Sequence, residues 1–135
     1  MENISTLRAR ARSSGDVVLF NRRCSALPPH AAAVCWASKF GISGSGQSCW
    51  DHAALVLRDR VTDVPYLLEG QLTGTTLRTY EERLLQGGDH DEVLVLPLRG
   101  VERTSARLDR LDALLQARAR TPRARSARQS SLVSS

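Results

Sequence analysis

The sequence predicts an α+β domain built on an antiparallel sheet. Short apolar runs bounded by turn-forming residues recur at 16–20, 50–57, 64–69 and 92–97, the signature of strands with little solvent on either face. Two of these runs are separated only by a short charged stretch, which suits a hairpin. Three other stretches, 30–40, 80–86 and 102–118, carry helix formers or apolar residues at helical spacing.

The elements follow in order. Residues 1–14 are polar and Arg-rich, with Ile4 and Leu7 as apolar points, and read as a short helix or a frayed end. Gly15-Asp-Val-Val-Leu-Phe20 is a strand, and residues 21–29 form a loop closed by Pro28-Pro29. His30 to Phe40 reads as an amphipathic helix with Val34, Trp36 and Phe40 on its apolar side. Residues 41–48, with Gly41, Gly44 and Gly46, form a flexible loop. Its reading as a phosphate loop is weak, because no Gly-Lys-Ser/Thr is present and a strand follows where a helix N-terminus is needed.

Trp50 to Leu57, the turn through Arg58, Asp59, Arg60, Thr62 and Asp63, and Val64 to Glu69 make the expected hairpin. Gly70 to Leu77 is a loop containing at most a short strand. Tyr80 to Gln86 is a short helix stopped by Gly87-Gly88, and Glu92 to Pro97 a further buried strand. Leu108, Leu111, Leu114 and Leu115 then mark one face of a helix. These limits give an N-terminal segment 1–14, a domain 15–115 and a disordered Arg/Ser-rich tail 116–135.

Composition narrows the class. A chain of 135 residues holds one domain with a modest core. No apolar run reaches the roughly 18 residues of a membrane span, and the N-terminus lacks a signal-peptide apolar region, so a cytoplasmic setting is expected. Cys24, Cys35 and Cys49 are odd in number and irregular in spacing, which argues against a disulfide framework and a Cys-x-x-Cys metal site.

Of 19 basic residues, only Lys39 is not arginine. The formal surplus of +5 falls entirely on Arg118, Arg120, Arg123, Arg125 and Arg128. Such a tail can attract nucleic acid or an anionic membrane. It has no aromatic residue to stack on a base, however, and its composition does not repay ordering; the expectation is a solvated tail without such partners.

The chemistry-bearing residues gather at the hairpin. If 50–57 and 64–69 pair antiparallel, the start of the first strand lies beside the end of the second. His52 and Glu69 then meet at one edge of the sheet as an imidazole with an orienting carboxylate. Against this, a strand-start histidine is commonly structural, and Glu69 could be a solvated strand end. Asp51 alternates to the other face and is a poor partner for His52. Cys49 and Cys35 read as inert buried thiols. Cys24 lies in a loop near Arg22 and Arg23, which could lower its pKa, yet it too reads as unreactive. His90, among Asp89, Asp91 and Glu92, reads as part of a solvated acidic turn and not as a metal site.

Taken together, Gly15-Asp-Val-Val-Leu-Phe20, Trp50-Asp-His-Ala-Ala-Leu-Val-Leu57, Tyr66-Leu-Leu-Glu-Gly70 and Thr76-Leu-Arg-Thr-Tyr80 resemble the permuted papain-like cysteine hydrolases. These are the circularly permuted NlpC-type peptidases and the lecithin–retinol acyltransferase-like enzymes, and the likeness covers about residues 15 to 98. It implies a papain-like antiparallel sheet with flanking helices, His52 as general base and Glu69 as its orienting residue. It further implies a thiol nucleophile at the start of a later helix, acting on amide or ester bonds of peptides or lipids, with no cofactor and no metal.

The chain departs from that pattern at one point: no cysteine follows Cys49. Three expectations account for this, namely a truncated or misframed product, a degenerate relative that keeps a binding cleft, or a nucleophile among Cys24, Cys35 and Cys49. The sequence therefore leads to a thiol hydrolase or acyltransferase scaffold, inactive or incomplete as it stands. The alternative is a non-catalytic peptide- or lipid-binding domain that uses the same cleft.

Overall fold

Val17–Arg22 (β1) alternates half-buried and buried positions, and its inward residues Val18 and Phe20 are fully buried. In the computed structural model, which describes residues 13–42, 50–72 and 74–120, this strand lies between His52–Arg58 (β2) and His90–Leu96 (β5). Pro65–Gln71 (β3) pairs with β2, and Gly74–Thr79 (β4) pairs with β3. All four pairings are antiparallel, giving a five-stranded sheet of order β4-β3-β2-β1-β5.

The antiparallel sheet and the mixed α/β architecture are as expected; the fifth strand is a correction. The expected loop over Gly70 to Leu77, with at most a short strand, is instead the end of β3 and a full six-residue strand, β4. Its interior, Thr75-Thr76-Leu77-Arg78-Thr79, has the β-branched content that suits a pleated surface. Gly74 takes φ 126°, a backbone that L side chains rarely adopt, and so permits the tight reversal from Gln71.

Three helices cover the sheet among the described residues: Pro29–Trp36 (α1), Tyr80–Gln86 (α2) and Ser105–Ala119 (α3). Tyr80 of α2 joins Val18, Phe20, Ala54, Val56, Leu67 and Val95 in the main core, with Leu84 and Val93 packed against it. On the opposite face α3 packs near β2, where Leu57 and Leu115 are buried. The Leu stripe expected on that helix thus faces inward at Leu115, and the helix runs on through Gln116 to Ala119, into the stretch assigned to the tail. No helix among the described residues is long and apolar enough to cross a membrane.

The region around α1 differs most from expectation. The α-helix ends at Trp36 and widens into a π-helical turn over Ala37–Ile42. His30, expected to begin the helix, lies within α1. Val34, Trp36 and Phe40, read as the buried side, are about half exposed, with Trp36 stacked on Phe40. The inward residue is instead Cys35, which forms a disulfide with Cys24 across Cα atoms 5.5 Å apart. Cys24 sits in a short 3-10 turn, Cys24–Ala26. This corrects the reading of Cys24 and Cys35 as inert thiols: an odd count argues against a disulfide framework, but two thiols on adjoining helical turns need only the right separation to pair. Cys49, most of the Gly-Ser loop, residues 1–12 and residues 121–135 lie outside the described residues.

Two local devices fix the frame. Gly15, at φ 95°, donates its amide to the Val56 carbonyl and turns the chain into β1. Asp16, buried, accepts from the Leu98 amide at 2.9 Å and from Arg103 Nη2 at 2.6 Å, tying the exit of β5 to the sheet. In the hairpin turn, the Asp59 carboxylate accepts from the amides of Val61 and Thr62, and Asp63 adopts φ 58°. An Asx-type bond followed by a left-handed residue is a common reason for Asp at such positions.

Candidate functional site

The hairpin register decides what the sheet edge presents. Ala54 stands opposite Glu69, and Val56 opposite Leu67. Side chains alternate along a strand, so His52, Ala54 and Val56 share a face with Leu67 and Glu69. His52, one step along that face from Ala54, reaches Glu69 diagonally. Its Nε2 lies 2.8 Å from Glu69 Oε2. The expected meeting of these two residues at one edge is therefore what the structure contains. Glu69 is not a solvated strand end: it is 1% exposed.

The second oxygen of Glu69 belongs to Arg83. On α2, Tyr80, Arg83 and Leu84 occupy the i, i+3, i+4 positions that face the sheet, so an arginine stands where an apolar residue is the rule. Arg83 Nε donates to Glu69 Oε1 at 2.7 Å, while Nη1 and Nη2 donate to the two oxygens of Asp89 at 2.6 and 3.2 Å. Its guanidinium carbon lies 4.4 Å from the centre of the Phe20 ring. A planar fork that spans two carboxylates and stacks on a ring makes it tolerable to bury this charge.

Gly87 has the role of spacer: a Cβ there would lie 2.3 Å from the Arg83 carbonyl oxygen and 2.4 Å from Arg83 Nη1. Gly88 follows at φ 60° and leads the chain to Asp89. His90 begins β5, edge-on to Phe20, and its Nδ1 approaches Asp89 at 3.4 Å. The solvated acidic turn expected here is divided: Asp89 and His90 are half-buried, while Asp91 and Glu92 are exposed on β5. Among the described residues no group of three or more His, Cys, Asp or Glu side chains is placed to hold a metal ion.

Burial acts to raise the Glu69 pKa. The hydrogen bond from His52 and the charges of Arg83, Arg78 and His52 outweigh it, so the carboxyl is held below the usual range. Asp89 follows the same balance: burial works against its charge, but the bonds and charges of His90 and Arg83 hold its carboxyl well below the usual range. Both groups are therefore carboxylates at neutral pH, and Glu69 is an acceptor fixed on the His52 ring.

Asp51 goes elsewhere, as its alternation implied. It accepts from the Arg22 amide at 2.7 Å and from Arg22 Nε at 2.8 Å, with Lys39 Nζ at 3.9 Å. Lys39 also donates to Asn21 Oδ1 at 2.6 Å and to the Arg22 carbonyl. This cluster ties the π-helical turn after α1 to the end of β1 and supports one wall of the site.

His52 and Glu69 line a cavity of about 480 Å³ together with Arg22, Arg78, Arg83 and Asp89. Its other wall comes from the loop and helix around α1, including Leu27, Pro28, Ala31 and Val34. The volume lies within the range of pockets that hold small molecules, and an apolar wall facing a few convergent polar groups is their usual character. Cys24 and Cys35, the cysteines among the described residues, are bonded to each other and supply no thiol to this cavity.

Sequence reasoning found His52 and Glu69 but missed Arg83, Asp89 and Arg78. The readable signal for Arg83 was its spacing between Tyr80 and Leu84 on an inward helical face. No family model, curated protein or solved structure matches the chain.

Proposed function

We propose that this chain is a thiol hydrolase or acyltransferase scaffold of the permuted papain-like type, with a cavity that takes amide or ester bonds of peptides or lipids. The observation that carries the reading is the 2.8 Å contact of His52 Nε2 with Glu69 Oε2 in the wall of that cavity. A carboxylate on one ring nitrogen fixes the tautomer and stabilises the imidazolium, leaving Nδ1 to take a proton. Arg83 is a positioning residue that holds Glu69 through its second oxygen, and Asp89 in turn fixes Arg83.

In this reading His52 is a general base, and no thiol among the described residues serves it. Its measurable activity is then weak hydrolysis of an activated ester, in which His52 takes a proton from the attacking water. The test is turnover of p-nitrophenyl butyrate by the full chain and by His52→Ala. The expected result is a slow rate that falls to background in the variant. Equal rates would remove the catalytic reading.

The second reading, a non-catalytic peptide- or lipid-binding domain, is favoured by one observation, the pairing of Cys24 with Cys35. With that bond in place, neither thiolate is available as a nucleophile. The same bond favours an oxidising compartment over the cytoplasmic setting expected from the sequence, because disulfides are rare in reducing compartments.

A further inference from the structure

Arg78 is the cation of the cavity whose charge is least taken up by the wall. Each carboxylate in the lining has a closer partner: Asp51 has Arg22 at 2.8 Å, Glu69 has His52 and Arg83 at 2.8 and 2.7 Å, and Asp89 has Arg83 at 2.6 Å. Arg78 Nη2 stands 3.8 Å from Glu69 Oε1, beyond hydrogen-bond distance, and its side chain is 36% exposed. It projects from β4 on the face it shares with Leu67 and Glu69, since it stands opposite Leu67 in the register. The same cavity is lined by the apolar side chains of Leu27, Pro28, Ala31 and Val34, with His30 among them.

From this arrangement we infer that the cavity takes an amphiphile with one carboxylate, an acyl amino acid or similar. The apolar chain lies along the α1 wall, the carboxylate sits on the Arg78 guanidinium, and the acyl carbonyl lies between them, near His52. A guanidinium receives a carboxylate through two parallel N–H donors, and a partly shielded site strengthens that contact over one in bulk water. The inference rests on the proposed acyl-substrate cavity and names what selects its ligand.

The experiment is calorimetric titration of the full chain with N-octanoylglycine and with neutral N-octanoylglycinamide. For the unmodified chain the acid is expected to bind about ten-fold more tightly than the amide. Arg78→Gln should bring the two affinities together, and Arg78→Lys should keep a preference for the acid. Equal binding of acid and amide by the unmodified chain, binding of neither, or a preference that survives in Arg78→Gln would each overturn the assignment. Ester turnover dependent on His52 is read separately, so loss of the Arg78 role leaves the proposed function standing.

Discussion

Arg83 directs its Nε at Oε1 of Glu69, 2.7 Å away, from a helix face that otherwise meets the apolar core. The consequence is energetic before it is chemical. Removing the guanidinium leaves Glu69 buried with one oxygen unpaired and Asp89 without its fork. Arg83→Met should therefore destabilise the fold by about 3–5 kcal/mol, the range for breaking a buried pair from one side. Arg83→Lys should recover only part of that loss, because an ammonium cannot bridge two carboxylates in fixed geometry. Urea unfolding of the three proteins at pH 7 measures both differences.

Acid should unfold the protein through the same network. Glu69 and Asp89 have folded-state pKa values below their ordinary ones. The stability they contribute is fully present above the unfolded carboxylate values, about 4, and is lost as pH falls through the lower folded values. The unfolding midpoint in urea should be flat from pH 7 to about 5 and then fall steadily below about 4. Asp89→Asn should lower the neutral-pH midpoint and flatten the acid limb. An acid limb unchanged in that variant would show that Asp89 is not part of the linkage.

The Cys24–Cys35 bond closes a loop of sequence separation 11 and anchors α1, the apolar wall of the cavity. Its loss in Cys35→Ser should cost about 2–3 kcal/mol by the loop-entropy relation. Mass spectrometry under non-reducing conditions should show the pair oxidised, and the unfolding midpoint should drop on addition of dithiothreitol. The Cys35→Ser protein should show no such drop.

Thr79 caps α2 in a reciprocal arrangement. Its Oγ1 accepts from the Glu82 amide at 3.2 Å, and Glu82 Oε2 accepts from the Thr79 amide at 3.2 Å. Thr79→Ala should cost about 1 kcal/mol. Because α2 carries Arg83, hydrogen exchange of the α2 amides should speed up in the variant while that of β1 is little changed.

Much of this site was legible because its logic is local. The alternation of Ala54, Val56 and Leu67, with a charged turn between two apolar runs, specifies a hairpin, and the hairpin places His52 beside Glu69. What the sequence hid is long-range. The burial of Arg83 follows only from the seating of its helix on Phe20. Asp89 and His90 looked like a polar turn until β5 paired with β1 at Arg22 and His90. The partner of Cys35 and the exposure of Trp36 depend on how α1 folds over the end of β1, which local periodicity does not encode. β4 was legible only in part: Thr75, Thr76 and Thr79 suit a strand, but its full length depends on pairing with β3.

The surface turn between Asp59 and Val64 sets the count of residues between the two strands. Pleated side chains swap faces at every step, so parity matters more than composition. A net slip of β3 by a single residue would swing the acid at position 69 into the outer layer and leave Leu68 or Gly70 beside the imidazole. The polarity of the cavity is thus governed by an odd-or-even rule in a loop that never touches it.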